Sequence, residues 1–251
     1  MNASDPTVHY QNAIDLRTPG TGLWFLNGKS FADWKSASPS YLWLHGIPGS
    51  GKTVLSASII QDLSLCCKDN SEKALAYYFF KFDNAQEHDP IMMLKSFIQQ
   101  LLRHCVTIPP TVKGLFSKIK CGGRAPLSQE VLELFRLTLG LFPCVYLVVD
   151  ALDECDQQAN LLKILEKVAT WQLHNIHLIV TSRQERFIEL SLEAYMSRES
   201  FINLPSDIID EDIKIYMQER FNGDIQLKKW HSNSTIGDEI NVALADGAQG
   251  M

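Results

Sequence analysis

One short glycine-rich stretch of this sequence has the residue types and the spacing that could bind phosphate. The pattern G-x-x-x-x-G-K-T begins at Gly46 and ends at Thr53, between an apolar run and an apolar-periodic segment. Glycines let consecutive backbone N–H groups surround an anion, Lys52 can reach the β- and γ-phosphates, and the Thr53 hydroxyl can bind Mg²⁺. The following helix directs its N-terminal dipole at the same anion. The predicted nucleotide-binding residues are Gly46, Ile47, Pro48, Gly49, Ser50, Gly51, Lys52, Thr53 and Val54.

A second group of candidate residues is acidic and follows the apolar run Cys144–Val149. Asp150 is predicted at the carboxyl end of that strand, where open α/β sheets bind ligands, and it should hold Mg²⁺ through water. Asp153 and Glu154 follow, and either could orient or deprotonate the water that attacks a γ-phosphate. The sequence does not choose between them. The alternative is an acid-rich helix N-terminus, which the helix dipole favours without a metal.

A third candidate, Arg183, follows the apolar run Ile176–Thr181. A polar residue at this strand tip can sense the γ-phosphate and Arg183 can neutralise it; the alternative is a solvent-exposed turn. The sequence contains no N-K-x-D stretch of the kind that reads guanine in Ras-like GTPases. ATP is therefore the favoured nucleotide and GTP the alternative.

The scaffold that must position these residues is predicted to be a parallel sheet. Two of the apolar runs are continuous rather than alternating, which is typical of strands covered by helices on both faces. Strands that alternate with amphipathic segments give a doubly wound α/β fold. The predicted strands are Tyr41–His45, Ala74–Phe82, Cys144–Val149, Ile176–Thr181 and Ser200–Leu204. The predicted helices begin after Gly51, at Pro90 and near Ser128, and two more span Asn160–Trp171 and Asp210–Phe221.

The composition argues against several classes of function. The chain has 251 residues, of which 45% are hydrophobic, and a net charge of −6. The negative net charge gives no overall positive field that would attract nucleic acid or an anionic membrane. No apolar run is long enough to span a bilayer. The six cysteines form no C-x-x-C pair and are predicted to be reduced thiols. We therefore expect a cytoplasmic protein that binds neither nucleic acid nor membrane.

Taken together, these motifs resemble those of a known family. The stretches "GIPGSGKT", "DALDEC" and "IVTSR", in this order, resemble the NACHT NTPases of the STAND class, and Ala151 directly after Asp150 matches the NACHT form of the Walker B motif. With the upstream segment Arg17–Trp43, the sequence is most similar to the nephrocystin-3-like NACHT modules of fungal NOD-like receptors and of ankyrin- or WD-repeat proteins. The resemblance implies a three-layer P-loop NTPase fold with strand order 5-1-4-3-2 and helices on both faces of the sheet.

The resemblance also implies a function. Such modules bind a nucleoside triphosphate with Mg²⁺, hydrolyse it slowly and act as molecular switches in signalling or non-self recognition, a form of innate immunity. The triphosphate state is implied to self-associate. One alternative is a nucleotide-bound interaction scaffold without turnover. Another, a P-loop kinase, needs an arginine-rich lid and is disfavoured because the segment after Asp150 is acidic.

The resemblance implies that the chain has three parts. Residues 1–40 are expected to form an N-terminal segment that packs on the core, residues 41–205 the NACHT core, and residues 206–251 the truncated start of a helical subdomain. The effector and repeat domains of the family are absent from this chain. We therefore expect the sequence to be a piece of a longer protein.

Overall fold

Five parallel strands form the centre of the protein. The structure, a computed structural model, describes residues 5–81, 89–105, 107–121, 128–204, 212–217 and 219. The strands are β1 (Ser40–His45), β2 (Lys73–Phe79), β3 (Cys144–Asp150), β4 (Ile176–Ser182) and β5 (Phe201–Asn203). They lie in the order β2-β3-β4-β1-β5, and every neighbouring pair is parallel. This confirms the predicted order 5-1-4-3-2, which is the same order counted from the other edge.

Helices cover the sheet and connect its strands. They are α1 (Thr7–Asp15), α2 (Leu23–Leu26), α3 (Lys29–Ser36), α4 (Lys52–Lys68), α5 (Pro90–His104), α6 (Pro110–Cys121), α7 (Ser128–Leu139), α8 (Gln158–Thr170) and α9 (Arg186–Leu192). The predicted cap of α5 is confirmed, because the Asp89 side chain accepts a hydrogen bond from the Ile91 N–H and Pro90 occupies the first turn. Five helices were not predicted: α1, α2, α3, α6 and α9.

The predicted strands are confirmed with small shifts at their ends. The second begins at Lys73 and ends at Phe79, and Phe82 lies outside the described residues. The last is shorter than expected, because pairing with β1 extends only over Phe201–Asn203. Of the predicted helix Asp210–Phe221, the structure describes a helical turn at 212–217, and its two ends lie outside the described residues.

Both faces of the sheet are buried, as the continuous apolar runs of β3 and β4 predict. One face packs against α5, α7, α8 and α9, with Leu147 and Val149 among its buried residues. The other face, which includes Val148 and Ile179, packs against α4 and the N-terminal helices. Because successive side chains of a strand point to opposite faces, each strand supplies both cores. The result is three layers, with the sheet in the middle.

The N-terminal helices complete the second core. Trp34 of α3 is 2% exposed, stacks on Phe31 and donates its indole N–H to the Leu178 carbonyl at 3.2 Å. A buried indole needs such a partner, so this bond fixes α3 against β4. Packing of α3 on the sheet places the turn before it, residues 18–24, beside the start of α4, where the Leu55 side chain approaches Gly22.

One carboxylate connects the last described helical turn to the N-terminal segment. The Asp212 carboxylate accepts hydrogen bonds from the Gly22 N–H at 3.0 Å and from the Trp24 indole N–H at 3.2 Å. Both donors and the acceptor are partly buried. Hydrogen bonds to charged groups contribute more than neutral ones, so this contact should hold residues 212–217 in place.

We expect Asp212→Ala to accelerate amide hydrogen exchange across residues 212–217 by about tenfold, the equivalent of losing one net charged hydrogen bond. Exchange followed by mass spectrometry measures this directly. Glu219→Ala is the control, because Glu219 is exposed and lies just beyond the same turn. Equal protection in the wild type and in the Asp212 variant would show that other contacts hold this segment.

Candidate phosphate-binding site

The loop between β1 and α4, residues 46–51, has the backbone geometry that its composition predicts. Gly51, directly before α4, has a φ of 77°, a left-handed conformation that favours glycine. Gly46 is closely surrounded, because a Cβ atom there would lie 2.9 Å from the Ser50 hydroxyl oxygen and 3.2 Å from the Leu204 Cβ, so a larger residue would displace these neighbours. The loop therefore turns tightly over the N-terminus of α4, where free N–H groups favour an anion.

Lys52 places its charge inside this loop. Its Nζ donates to the Gly46 carbonyl at 2.9 Å, the Ile47 carbonyl at 2.7 Å and the Ser50 hydroxyl at 3.2 Å. Burial lowers the pKa of Lys52, and the carboxylates of Asp153 and Asp150 oppose that change. The ammonium group is thus held at the mouth of the loop by groups that a phosphate oxygen could replace.

Asp150 is the buried carboxylate of the site. It lies at the end of β3 and is 2% exposed. Its Oδ2 accepts from the Thr53 hydroxyl at 2.8 Å, and its Oδ1 accepts from the hydroxyls of Ser56 and Thr181, each at 2.7 Å. Burial raises the pKa of Asp150, and the hydrogen bonds from Ser56, Thr181 and Thr53 counteract this. The two residues predicted to hold Mg²⁺, Thr53 and Asp150, are therefore in direct contact.

Two partners of Asp150 were not predicted in this role. Ser56 lies one helical turn after Thr53, so it shares a face of α4 with that residue, and this spacing was the available signal. Thr181 was noted as a polar strand tip, but its hydroxyl is directed at Asp150 and also accepts the Ala151 N–H at 3.0 Å. These bonds fasten the ends of β3 and β4 to each other and to α4.

The donor set fits Mg²⁺ bound together with phosphate. A hydroxyl and a carboxylate are hard oxygen ligands of the kind that Mg²⁺ prefers. Among the described residues, no group of three or more histidine, cysteine, aspartate or glutamate side chains could hold a metal without help. Thr53 and Asp150 would accordingly hold Mg²⁺ together with water and phosphate oxygens.

The remaining candidates lie on the turn after β3 and at the tip of β4. Asp153 Oδ1 accepts the backbone N–H of Arg183 at 3.0 Å, and Asp153 Oδ2 pairs with the Arg183 Nε at 3.1 Å. Glu154 lies on the same 3₁₀ turn, Leu152–Glu154, and donates its backbone N–H to the Ala151 carbonyl. The charges of Asp153, Glu154 and Arg183 all act on Lys52. The structure thus brings every predicted site residue to one edge of the sheet.

This combination of fold and site defines a P-loop NTPase: a glycine-rich loop between β1 and α4, with an acidic strand end two positions away in a parallel sheet. Residues 20–183 match the family described as nephrocystin 3, N-terminal. The chain belongs to this family, and the resemblance to nephrocystin-3-like NACHT modules is confirmed.

One relative has a described role in its name. The vegetative incompatibility protein HET-E-1 of Podospora anserina is 27% identical to this chain over 250 residues, covering 94% of this chain and 18% of that protein. The chain thus spans less than a fifth of the relative it matches.

Among solved structures, Drosophila ORC bound to DNA shares 15% identity over 94% of this chain and 56% of its own, with a TM-score of 0.49. The ORC2 protein of Aeropyrum pernix in ADPNP–ADP complexes shares 12% identity over 84% of this chain and 51% of its own, with a TM-score of 0.47. These values are too low to bear on what this chain binds. The expectation that it binds no nucleic acid gains no support from them and stays a prediction based on net charge.

Within the ranges that the structure describes, no helix combines the length and the apolar character needed to cross a membrane.

Proposed function

We propose that this protein binds a nucleoside triphosphate with Mg²⁺, ATP in preference to GTP, and hydrolyses it slowly as a STAND-type switch. The observation that carries the proposal is the 2.8 Å hydrogen bond between Thr53 and Asp150. It joins the glycine-rich loop to an acidic strand end, the pair of oxygen donors from which P-loop proteins hold the Mg²⁺ of a bound nucleotide.

Each residue then has a role set by its position. Residues 46–51 enclose the phosphates with backbone N–H groups, and Lys52 neutralises the β- and γ-phosphates. Thr53 and Asp150 orient Mg²⁺, which neutralises phosphate charge when it is bound. Either Asp153 or Glu154 positions the attacking water, and Arg183 faces the γ-phosphate.

The switch and its context are part of the same proposal. A state that hydrolyses its ligand quickly cannot remain populated, so slow turnover suits a switch. We assign residues 41–205 to the nucleotide-binding core, residues 1–40 to a segment packed on it, and residues 206–251 to the start of a helical subdomain. Self-association in the triphosphate state, a cytoplasmic location and a role in innate immunity or non-self recognition complete the proposal, and the name of the Podospora relative agrees with the last of these.

One observation favours the alternative of a scaffold that binds nucleotide without turnover. Both carboxylate oxygens of Asp153 already contact Arg183: Oδ1 accepts a hydrogen bond from its backbone N–H, and Oδ2 forms an ion pair with its guanidinium group. If Asp153 is the base, this arrangement holds it in an inactive state. Titration of MgATP and MgGTP followed by a phosphate-release assay separates binding with turnover from binding alone.

We expect the isolated chain to release phosphate far more slowly than the median enzyme rate of about 10 per second. The rate per molecule should rise with protein concentration, because a self-associating switch can complete its site with a neighbour's arginine. Phosphate release measured across a concentration series tests this. Arg183→Ala should lower the rate at all concentrations, whereas Arg198→Ala, an exposed arginine paired with Glu193, should not. Fast release that does not depend on concentration would favour a stand-alone NTPase.

A further inference from the structure

We propose that the groove beside β2, at the end of the sheet opposite the glycine-rich loop, binds a small organic dianion that carries an aromatic or other apolar group. Helix α4 connects the two regions, because it begins at the loop with Lys52 and ends at the groove with Lys68. Its 17 residues extend over about 25 Å. The groove is therefore separate from the nucleotide site, and this inference does not depend on the proposed function.

The groove lies where three helices meet the edge of the sheet. It is bounded by α4, by α5, by the start of α1 and by β2. Among the described strands, β2 pairs with β3 alone, so the space on its other side is open. The volume of the groove is about 470 Å³, within the range of about 300–1,000 Å³ that is usual for small-molecule sites.

Basic side chains line this groove from two helices. Lys68 lies in the last turn of α4, and Arg103 and His104 lie in the last turn of α5. All three residues are exposed. Within the part of the chain that the structure describes, none of these side chains forms a hydrogen bond or an ion pair. The groove therefore offers positive charge to a ligand in a protein whose net charge is −6.

The helix dipole explains each basic residue separately, but it does not explain why they line one cavity. A positive charge in the last turn of a helix is favourable without any ligand. That preference does not require α4 and α5 to end beside the same groove. A nearby acid, Asp5, is engaged elsewhere: hydrogen bonds from Thr7 lower the pKa of Asp5, and the charge of Arg103 adds a smaller effect.

Apolar side chains form the rest of the groove. Cys67 and Leu75 are buried where they line it, and Leu65 at its rim is 69% exposed. A ligand that covers such an exposed leucine gains the free energy of removing apolar surface from water. A simple inorganic anion would use the charges and leave this surface exposed. The lining thus favours a molecule that has both an anionic part and an apolar part.

The wall on the β2 side is already ordered. The Gln100 side-chain amide accepts the Tyr77 N–H at 3.1 Å and donates to the Tyr77 carbonyl at 2.8 Å. The Tyr77 ring packs on Tyr10, with 5.5 Å between the ring centroids. Because Gln100 occupies the main-chain groups of Tyr77, an added peptide strand cannot pair there. The groove therefore suits a compact ligand, and a preformed wall lowers the cost of binding.

The probe for this site is benzylmalonate, which joins two carboxylates to one aromatic ring. Titration of the ¹⁵N-labelled protein, followed by NMR, should give saturable shifts of the Leu65, Cys67 and Gln100 amides. We expect a dissociation constant of about 1 mM, from the efficiency usual for small ligands. Malonate, which lacks the ring, and the diol in which hydroxyls replace both carboxylates should each bind at least about fivefold more weakly.

Substitutions locate the two parts of the ligand. Arg103→Gln and Lys68→Gln should each weaken benzylmalonate binding about two- to fivefold, the size of an exposed charge contact. Leu65→Ser should weaken binding of benzylmalonate but not of malonate. The matched control is Lys163→Gln, which removes an exposed lysine from α8 on one face of the sheet, away from the groove, and should change neither.

Several outcomes would overturn the proposal. One is the absence of saturable shifts at about ten times the expected dissociation constant. Another is a set of shifts centred on residues 46–53, which would place the probe in the phosphate-binding loop. Wild-type affinity in both charge variants, or equal affinity for benzylmalonate and the diol, would show that the basic side chains do not hold the anion.

Discussion

Replacement of Lys52 with alanine is expected to weaken nucleoside triphosphate binding roughly 30- to 150-fold, which corresponds to about 2–3 kcal/mol for a charged hydrogen bond. The lysine is half-buried, and its Nζ is already held at the mouth of the loop by the Gly46 and Ile47 carbonyls. A phosphate therefore meets a positive charge that is partly desolvated and already positioned. Both features increase the electrostatic attraction that the substitution removes.

The measurement is isothermal titration of the variant with MgATP. Lys163→Ala is the matched control, because Lys163 is an exposed lysine of α8 and its removal changes the net charge equally. Thermal unfolding should show little change in the Lys52 variant, since the freed loop carbonyls can bind water. Wild-type affinity in Lys52→Ala would refute the phosphate-binding assignment.

Much of the scaffold could be predicted from sequence, because its strands have a local signal. β3 and β4 are buried on both faces, so their apolar runs are unbroken and stand out from helical periodicity. Helix α9 has no comparable signal. It buries Ile188 and Leu192 but exposes Phe187 and Leu190, so its apolar residues mark no single face. It is also short, with seven residues, and a periodic pattern needs a longer window.

The residues of the site could be predicted from the sequence, but the contacts that join them could not. The glycine-rich loop is contiguous, and its spacing alone specifies the backbone contacts. The hydroxyl partners of Asp150 come from two other elements, 94 residues before it at Ser56 and 31 residues after it at Thr181. The pairing of Asp153 with Arg183 likewise spans 30 residues. Such contacts depend on strand order and on where each strand ends, which no local pattern contains.

We expect the second large effect at Asp150. Two substitutions of this residue should separate its contribution to metal binding from its contribution to folding. Asp150→Asn keeps the size of the side chain and one carbonyl acceptor, but it removes the negative charge. We expect it to lower Mg²⁺-dependent nucleotide affinity roughly 10- to 100-fold, the usual cost of removing a group that orients a metal ligand. In the proposed site this ligand is the Thr53 hydroxyl, which donates a hydrogen bond to Asp150 at 2.8 Å.

Asp150→Ala should also destabilise the fold. The hydroxyls of Ser56 and Thr181 are completely buried and would lose their acceptor. Each buried donor left without a partner costs about 1–3 kcal/mol, so the free energy of unfolding should fall by about 2–6 kcal/mol for the two hydroxyls together. Urea denaturation measures this loss, with Asp156→Ala as the control for removing an exposed carboxylate nearby.

The two variants together distinguish a metal site from a buried structural carboxylate. If Asp150 holds Mg²⁺, titrations of Asp150→Asn with nucleotide should give nearly the same affinity in Mg²⁺ and in EDTA, whereas the wild type should bind much more tightly in Mg²⁺. A purely structural Asp150 would leave the Mg²⁺ dependence intact in the asparagine variant and destabilise only the alanine variant. The three hydroxyl contacts alone fit either role, but the contact with Thr53, at the first turn of the helix behind the glycine-rich loop, favours the metal.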